Sequence, residues 1–226
     1  AEPMLASLRQ LPRNAGLLLA LVALILVAPL IPLETTWFVV ELLFDMILLA
    51  GVYSVGSARH RVPFVVLTFV TLAVRWGELL SGVYGLDFGA LALTVTWLFY
   101  ALWIITAHLF QQTDVSIDTI LGAAVVYLLA AVAFSMLFQA LELTSPGSFS
   151  GLAEEVYEDR AALGDAMLYF SLVCITTMGF GDIVPVSSLA RPLAVIEWVF
   201  GQHYLAVMSA RLVGLHIATQ SRSTDD

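Results

Sequence analysis

Residues 176–182 read Thr-Thr-Met-Gly-Phe-Gly-Asp, and this short segment constrains the fold more than any other part of the chain. Glycine adopts backbone dihedrals that other residues avoid, so alternating glycines allow successive carbonyl groups to turn the same way. The hydroxyl of Thr177 can add one more oxygen to that row. A row of closely spaced oxygens suits a dehydrated monovalent cation. Because one chain supplies only one wall of such a cage, four chains around a common axis are needed to close it.

The composition indicates an integral membrane protein. Of the 226 residues, 60% are hydrophobic and 12% are charged, whereas ordinary soluble domains contain about 25% charged residues. The net charge of -9 argues against nucleic acid as a partner and leaves membrane lipid as the expected surroundings. The single cysteine, Cys174, is expected to be a small core residue. The histidines are scattered and no nucleophile–base pair or metal-ligand cluster is evident, so an enzyme is not expected.

Six segments are apolar and long enough to cross a bilayer, since a span needs about 20 residues. They cover residues 15–33, 37–55, 63–82, 88–110, 119–141 and 192–215. The apolar run 167–175 is too short to span, and we interpret it as a re-entrant helix that ends at the glycine-containing segment. Non-helical backbone cannot face lipid, because each unpaired polar group there costs several kcal/mol. The segment must therefore be enclosed by protein or line a water-filled path.

The segment resembles the selectivity filter of the prokaryotic potassium channel family, whose usual form is Thr-Val-Gly-Tyr-Gly. Met178 stands where valine is usual and Phe180 where tyrosine is usual, so the tyrosine hydroxyl that helps to brace the family's filter is missing. The resemblance covers roughly residues 118–215. It implies that backbone carbonyls replace the water around K+. The implied ion-binding residues are Thr176, Thr177, Met178, Gly179, Phe180 and Gly181.

The resemblance also implies a fold and a division of the chain. The expected fold is an all-α membrane protein with six transmembrane helices, a re-entrant pore helix and a filter loop, assembled as a tetramer. A cytoplasmic segment 1–14 precedes a four-helix domain 15–110 and a linker 111–118. The pore domain covers residues 119–215. Its parts are an outer helix 119–141, an acidic outer loop 142–165, a pore helix 166–176, a filter 177–182 and an inner helix 192–215, and a short tail 216–226 follows it.

Two carboxylates are predicted to support the filter. Asp182 follows it directly, and in the family such an aspartate forms a hydrogen bond behind the filter. Glu197 lies within the inner helix and needs a partner, because an intramembrane carboxylate is costly. It is expected to brace the back of the filter or to pair with Arg160 or His203. The acidic residues of the outer loop, Glu142 among them, either raise the local cation concentration or are merely solvated.

The inner helix is predicted to carry a hinge and the cavity lining. Gly201 lies at the position where channels of this family often bend, and close helix packing is the alternative interpretation. His203 is expected to point away from the axis. Arg211 is expected to turn outward and pair with Asp114 or Asp118, because four arginines at the exit would repel cations. The residues expected to line the cavity, spaced by three or four, are Gln202, Leu205, Ser209 and Val213.

Arginine placement predicts the orientation, because cytoplasmic loops carry an excess of basic residues. The arginines lie before the first span, between the second and third, and at or after the end of the sixth. They are Arg9, Arg13, Arg59, Arg61, Arg211 and Arg222. Both termini are therefore expected to be cytoplasmic and the filter to face outside. The expected location is the cell inner membrane, with the chain crossing it several times.

The first four spans contain ionisable residues. Glu41 and Asp45 share one helix face at a spacing of four, and Arg75 and Glu78 share another. These four residues suggest an intramembrane charge network that holds the helices together. A sensing role for Arg75 is the second interpretation, since ionisable groups inside membranes are functional candidates.

The sequence thus predicts a potassium-selective channel that conducts K+ passively across the cell membrane. K+ ions in the filter are the expected bound species, with no organic cofactor, and identical subunits are the expected partners. One alternative is a weakly selective channel for Na+ and K+, given Met178 and Phe180. An alternative of another class is a membrane sensor or scaffold that has the pore shape and does not conduct. The gating stimulus is not indicated by the sequence.

Residues 88–110 contain no arginine, and His108 is their only ionisable side chain. Moving one charge across 100 mV yields only about 2.3 kcal/mol, so steep voltage gating needs several arginines. We therefore expect currents that depend weakly on voltage. Recordings from the purified protein in planar bilayers check this, and a steep sigmoid activation curve would contradict it.

Overall fold

Helices make up most of the part of the chain that the structure describes. The computed structural model describes residues 12, 14–27, 30, 33–54, 58–81, 86–113, 115–157 and 160–224. The helices are α1 (Ala15–Val27), α2 (Leu33–Ser54), α3 (Ala58–Ser81), α4 (Leu86–Gln111), α5 (Ile117–Thr144), α6 (Arg160–Ile175) and α7 (Ala190–Thr224). Two short strands, β1 (Phe149–Ser150) and β2 (Val184–Pro185), and a 3-10 turn (Glu154–Tyr157) complete the described elements.

Two of these helices are both long and apolar enough to cross a membrane, judged over the described residues. They are Phe88–Gln111 within α4 and Ile117–Thr144, which is α5. Helices α2, α3 and α7 have the length, and they carry ionisable residues among their apolar ones. Helix α1 has 13 residues, so it rises only about 20 Å against a hydrocarbon core of about 30 Å. The predicted span 15–33 is therefore helical as one element only as far as Val27.

The pore helix predicted over 166–176 begins earlier and covers Arg160–Ile175. The sequence predicts a loop up to residue 165 because this stretch is rich in charged residues. Alanine and leucine in the first two turns of α6 favour helix, and Gly164 allows α6 to approach α5 closely. A Cβ at Gly164 would lie 3.3 Å from the side-chain nitrogen of Gln139.

Two other helices are longer than predicted. Helix α3 begins at Ala58, five residues before the predicted start at Pro63, and Pro63 lies inside it. Helix α7 runs to Thr224, so most of the predicted tail 216–226 is helical. Both differences have one cause: the prediction followed apolar residues, whereas these helices continue through polar ones.

Helix α5 lies at the centre of the described helices. It packs extensively on α4 and α6, and also contacts α1 and α7. Its buried side is continuous and composed largely of small or branched residues, which allow neighbouring helices to approach. The fully buried members are Val125, Val126, Leu129, Ala130, Ala131, Val132, Ala133 and Phe138. This packing places α6 between α5 and α7.

Trp97 is the largest fully buried side chain among the described residues of the first four helices. Its indole nitrogen donates to the Thr68 hydroxyl at 2.7 Å, and that hydroxyl donates to the Phe64 carbonyl at 2.8 Å. The indole hydrogen is thus satisfied inside an apolar core, as buried polar groups require. Gly51 faces the ring, because a Cβ there would lie 2.4 Å from Cη2 of Trp97.

The loop between α5 and α6 is organised by a buried carboxylate, Glu142, which is 1% exposed. Its Oε1 accepts hydrogen bonds from the Gly147 amide and the Tyr157 hydroxyl, both at 2.7 Å, and its Oε2 accepts one from the Phe149 amide at 3.1 Å. The hydrogen bond to Glu142 raises the pKa of Tyr157 to about 12, because the neutral phenol is the donor. Glu142 therefore shapes the loop, and the expectation that it faces the mouth or solvent is wrong.

We predict that Gly51→Ala destabilises the protein, because the added methyl group would collide with Trp97. Overpacking of this kind costs about 1–3 kcal/mol. The matched control is Gly77→Ala in α3, where a Cβ would meet nothing within 4 Å and the helix gains up to about 1 kcal/mol. Thermal unfolding in detergent measures both. Equal effects of the two substitutions would contradict the packing described here.

Candidate ion-binding site

The backbone of the predicted filter alternates in handedness. Thr177, Gly179 and Gly181 have φ values of 60°, 61° and 80°, so every second residue is left-handed. Among the described non-glycine residues, Thr177 is the one with positive φ. Such alternation turns successive carbonyls towards the same side, which glycine allows at little cost. A threonine in this conformation needs support from its surroundings.

The support for Thr177 comes partly from the end of the pore helix. The Met178 amide donates to the Val173 carbonyl and the Thr177 amide donates to the Cys174 carbonyl, each at 3.0 Å. These two bonds form the pattern in which a left-handed residue closes a helix, a place usually taken by glycine. The Thr176 hydroxyl donates back to the Leu172 carbonyl at 2.5 Å. Helix α6 therefore ends where the filter begins.

Helices α7 and α5 also hold the backbone where the pore helix ends. The side-chain amide of Gln202 donates to the Thr177 hydroxyl at 3.3 Å. The Ile175 carbonyl accepts a hydrogen bond from the Tyr127 hydroxyl of α5 at 2.8 Å. Gly201 is buried against that carbonyl, since a Cβ there would lie 2.5 Å from the oxygen. Gly201 is thus placed for close packing, and bending at this residue stays a prediction.

The outer end of the filter is held by Tyr169 of α6, a residue that sequence reasoning missed. Its hydroxyl donates to Oδ2 of Asp182 at 2.6 Å, and this hydrogen bond lowers the pKa of Asp182. Its ring stacks on Phe180 with centroids 6.5 Å apart and planes 8° apart. The hydroxyl that Phe180 lacks is therefore supplied at the filter's outer end by the pore helix.

A second missed contributor is Gly151, in the outer loop. It has a φ of 91°, and a Cβ there would lie 1.8 Å from the Asp182 carbonyl oxygen. The strands beside it pair antiparallel, with Phe149 opposite Pro185 and Ser150 opposite Val184. The outer loop therefore lies directly against the backbone that leaves the filter.

Glu197 is fully buried where α7 meets α6. Its Oε1 contacts the hydroxyl of Ser171 on α6, and that hydroxyl also lies 2.7 Å from the Ala131 carbonyl of α5. Its Oε2 has no hydrogen-bond partner among the described residues. The partner of Glu197 is thus Ser171, and the expected pairing with Arg160 or His203 is not what the structure shows.

The inner helix presents two surfaces in a single chain. A buried stripe packs on α5 and α6 and comprises Ala190, Ala194, Glu197, Gly201, Tyr204 and Met208. The predicted cavity residues lie off this stripe and are exposed: Gln202, Leu205, Ser209 and Val213. His203 is also exposed, with its Nδ1 bonded to the Val199 carbonyl at 2.8 Å. The predicted lining therefore lies on surface that the chain itself leaves uncovered.

Among the described residues, Arg211 binds the carbonyls of a helix end. Its guanidinium donates to the carbonyls of Leu109 at 2.7 Å, Phe110 at 2.9 Å and Gln112 at 2.6 Å. These carbonyls close the last turn of α4, where a cation is favoured by the helix dipole. The expected pairing with Asp118 is wrong, and Asp114 lies outside the described residues. The expectation overlooked the carbonyls that the end of α4 leaves available.

The predicted charge network is present in part. Arg75 binds Glu41 and lies 3.7 Å from Asp45, measured from Nε to Oδ1. The Trp76 indole donates to Asp45 at 3.0 Å, a contact that the sequence did not suggest. The Glu41–Arg75 pair lines a cavity of about 250 Å³ between these helices and α6. The side chain of Glu78 lies outside the described residues.

The described residues contain no group of three or more His, Cys, Asp or Glu side chains that could hold a metal ion. The filter offers backbone carbonyls and a threonine hydroxyl instead. Uncharged oxygens of this kind suit a weakly hydrated monovalent cation, whereas divalent cations usually take carboxylates as ligands.

Comparison with known proteins shows a similarity over the second half of the chain. Residues 120–215, from α5 to α7, match the family described as ion channel. This match supports ion conduction as the function of these residues, and the ion channel family is not an enzyme family. Protein LctB of Bacillus caldotenax is similar, with 26% identity over 98 residues, or 43% of this chain and 72% of that protein. No solved structure matches the chain significantly.

We predict that Gly151→Ala disrupts the outer end of the filter, because the methyl group would overlap the Asp182 carbonyl. The matched control is Gly147→Ala. Gly147 also has a positive φ, 83°, but a Cβ there would meet nothing within 4 Å. In the control, the free energy of unfolding should fall only by the cost of a left-handed backbone with a Cβ, about 1–2 kcal/mol.

Thermal unfolding and cation flux in liposomes measure both variants. Gly151→Ala should lose more stability and more flux than Gly147→Ala. If the two variants behave alike, the contact between the outer loop and the filter is not as described.

Proposed function

We propose that the protein is a potassium-selective channel that conducts K+ passively across the cell inner membrane. Four identical subunits surround the pore, each with six spans, a re-entrant pore helix, and both termini in the cytoplasm. Opening does not depend steeply on voltage. The observation that carries the proposal is the left-handed backbone at every second residue from Thr177 to Gly181.

Selectivity for K+ is supported by the bracing of the filter. Carbonyl oxygens favour one ion over a smaller one when their number and spacing are maintained. Here the spacing is supported on the outer side by Tyr169 and Gly151, and below by Gln202. Each of these contacts comes from a different element, so the filter backbone is fixed at several points along its length.

Assembly of four chains is supported by what a single chain leaves uncovered. The side chains of Met178 and Phe180 are each 65% exposed. Apolar residues of α7 outside its buried stripe are exposed as well, including Val195, Ile196 and Val213. Contiguous exposed apolar surface marks a site of association with protein or lipid. Neighbouring copies around an axis would cover part of this surface and complete the ion cage.

A weakly selective channel for Na+ and K+ is the second candidate, favoured by Met178 and Phe180 at positions where the family usually has valine and tyrosine. The two candidates share the pore and differ in how rigidly the oxygens are held. A membrane sensor or scaffold that does not conduct is the third, and the ion channel domain argues against it.

Purified protein in liposomes should conduct a K+ flux. In mixed K+ and Na+, the reversal potential of the current should lie near the equilibrium potential of K+. Gly179→Ala is the control, because Gly179 has a φ of 61° and a Cβ there would meet nothing within 4 Å. The substitution therefore introduces no overlap within the subunit and tests its left-handed backbone conformation. A left-handed conformation costs a residue with a Cβ about 1–2 kcal/mol, and this cost arises in each of four subunits. We therefore expect flux to fall at least about tenfold.

A reversal potential midway between the equilibrium potentials of K+ and Na+ would contradict K+ selectivity and support the weakly selective channel. Absence of flux from folded protein would leave the non-conducting alternative. Unchanged flux in Gly179→Ala would show that the filter does not depend on its left-handed residues.

A further inference from the structure

The hydrogen bonds around Ser171 contain one hydrogen too few if Glu197 is ionised. The Ser171 hydroxyl has a single hydrogen and lies in hydrogen-bond contact with two oxygens, the Ala131 carbonyl at 2.7 Å and Oε1 of Glu197. A carbonyl oxygen cannot donate, and an ionised carboxylate accepts only. If both partners accepted, one of the two contacts would join lone pairs with no hydrogen between them.

A proton on Glu197 removes this conflict. The carboxylic acid then donates from Oε1 to the Ser171 hydroxyl, and that hydroxyl donates to the Ala131 carbonyl. Every contact in the row has one hydrogen, and each donor has one acceptor. The row connects α7, α6 and α5 through three residues that are each fully buried.

The surroundings of Glu197 agree with the neutral form. No arginine or histidine pairs with it among the described residues, in which its side chain contacts Ser171. The titratable groups that face it are Cys174 on α6 and Tyr127 on α5, both uncharged in their usual forms. Its Oε2 lacks a hydrogen-bond partner in the described part of the chain. An orphaned oxygen of a neutral acid costs far less than that of an isolated buried carboxylate.

From this geometry we infer that Glu197 is a proton-binding site, and that the bound proton connects the inner helix to the pore helix through Ser171. The contact lies one helical turn before Gly201, where α7 approaches the Ile175 carbonyl at the end of the pore helix. Loss of the proton would place a charge between the helices and would separate α7 from α6. The filter would then lose the support that it receives from α7. The inference goes beyond the proposed function, because it concerns the state of a residue that does not line the filter.

Infrared spectroscopy of the wild type and of Glu197→Gln tests the proton directly, because a protonated carboxylic acid absorbs separately from a carboxylate. At neutral pH the difference spectrum should show loss of a carboxylic acid band in Glu197→Gln. Ser171→Ala should keep that band and shift it, because the acid loses its acceptor. Loss of a carboxylate band instead would overturn the inference. This measurement does not require conduction. The inference about Glu197 can therefore be wrong while the channel proposal stands, and the channel proposal can be wrong while the inference stands.

Flux measurements test the mechanical consequence. Glutamine is neutral and can donate to Ser171, so Glu197→Gln should keep flux within about twofold of the wild type. Glu197→Leu has no donor and should lose most of the flux. Wild-type flux should be steady from about pH 6 to about pH 8 and should fall at more alkaline pH. The flux of Glu197→Gln should not fall in this range. Because Cys174 and Tyr127 are present in both proteins, their titration would affect both alike. Equal alkaline loss in both proteins, or full flux in Glu197→Leu, would contradict the inference.

Discussion

The structure depends on keeping a stretch of non-helical backbone ordered in apolar surroundings. Residues 177–181 alternate between left-handed and ordinary conformations, and such a chain has no repeating hydrogen bonds of its own. Its shape must therefore be imposed from outside. The pore helix supplies the closing hydrogen bonds at Thr177 and the Tyr169 hydroxyl at Asp182. The outer loop adds Gly151, and the inner helix adds Gln202.

These supports are themselves held by buried polar contacts at the level of whole helices. Glu142 fixes the outer loop by accepting three hydrogen bonds, and this positions the short hairpin beside the filter. Arg211 joins the inner helix to the last turn of α4 through three carbonyls. The first four helices thus contact the pore region through α5, which packs on α4 and α1, and through Arg211. Buried polar groups of this kind are costly when unpaired, which makes each contact specific.

The sequence was sufficient for features that depend on local chemistry. The all-α class follows from long apolar segments, and the positive φ of Gly179 and Gly181 follows from glycines at alternate residues after a short apolar helix. The sequence did not reveal Tyr169 or Gly151, because each contacts a residue distant in the chain that only the fold brings close. The surroundings expected for Glu142 are wrong, and the carbonyl ligands of Arg211 were not foreseen, for a related reason. Charged residues were expected to meet water or opposite charge, whereas both bind backbone groups left free at helix ends and in turns.

The central claim is that four copies of this backbone enclose dehydrated K+. The most direct test is an experimental structure of the assembled protein in K+. The account predicts fourfold symmetry, with ion density on the axis between carbonyl oxygens contributed by Thr177, Met178, Gly179 and Phe180. Carbonyls that diverge from the axis, with no ion between them, would contradict it.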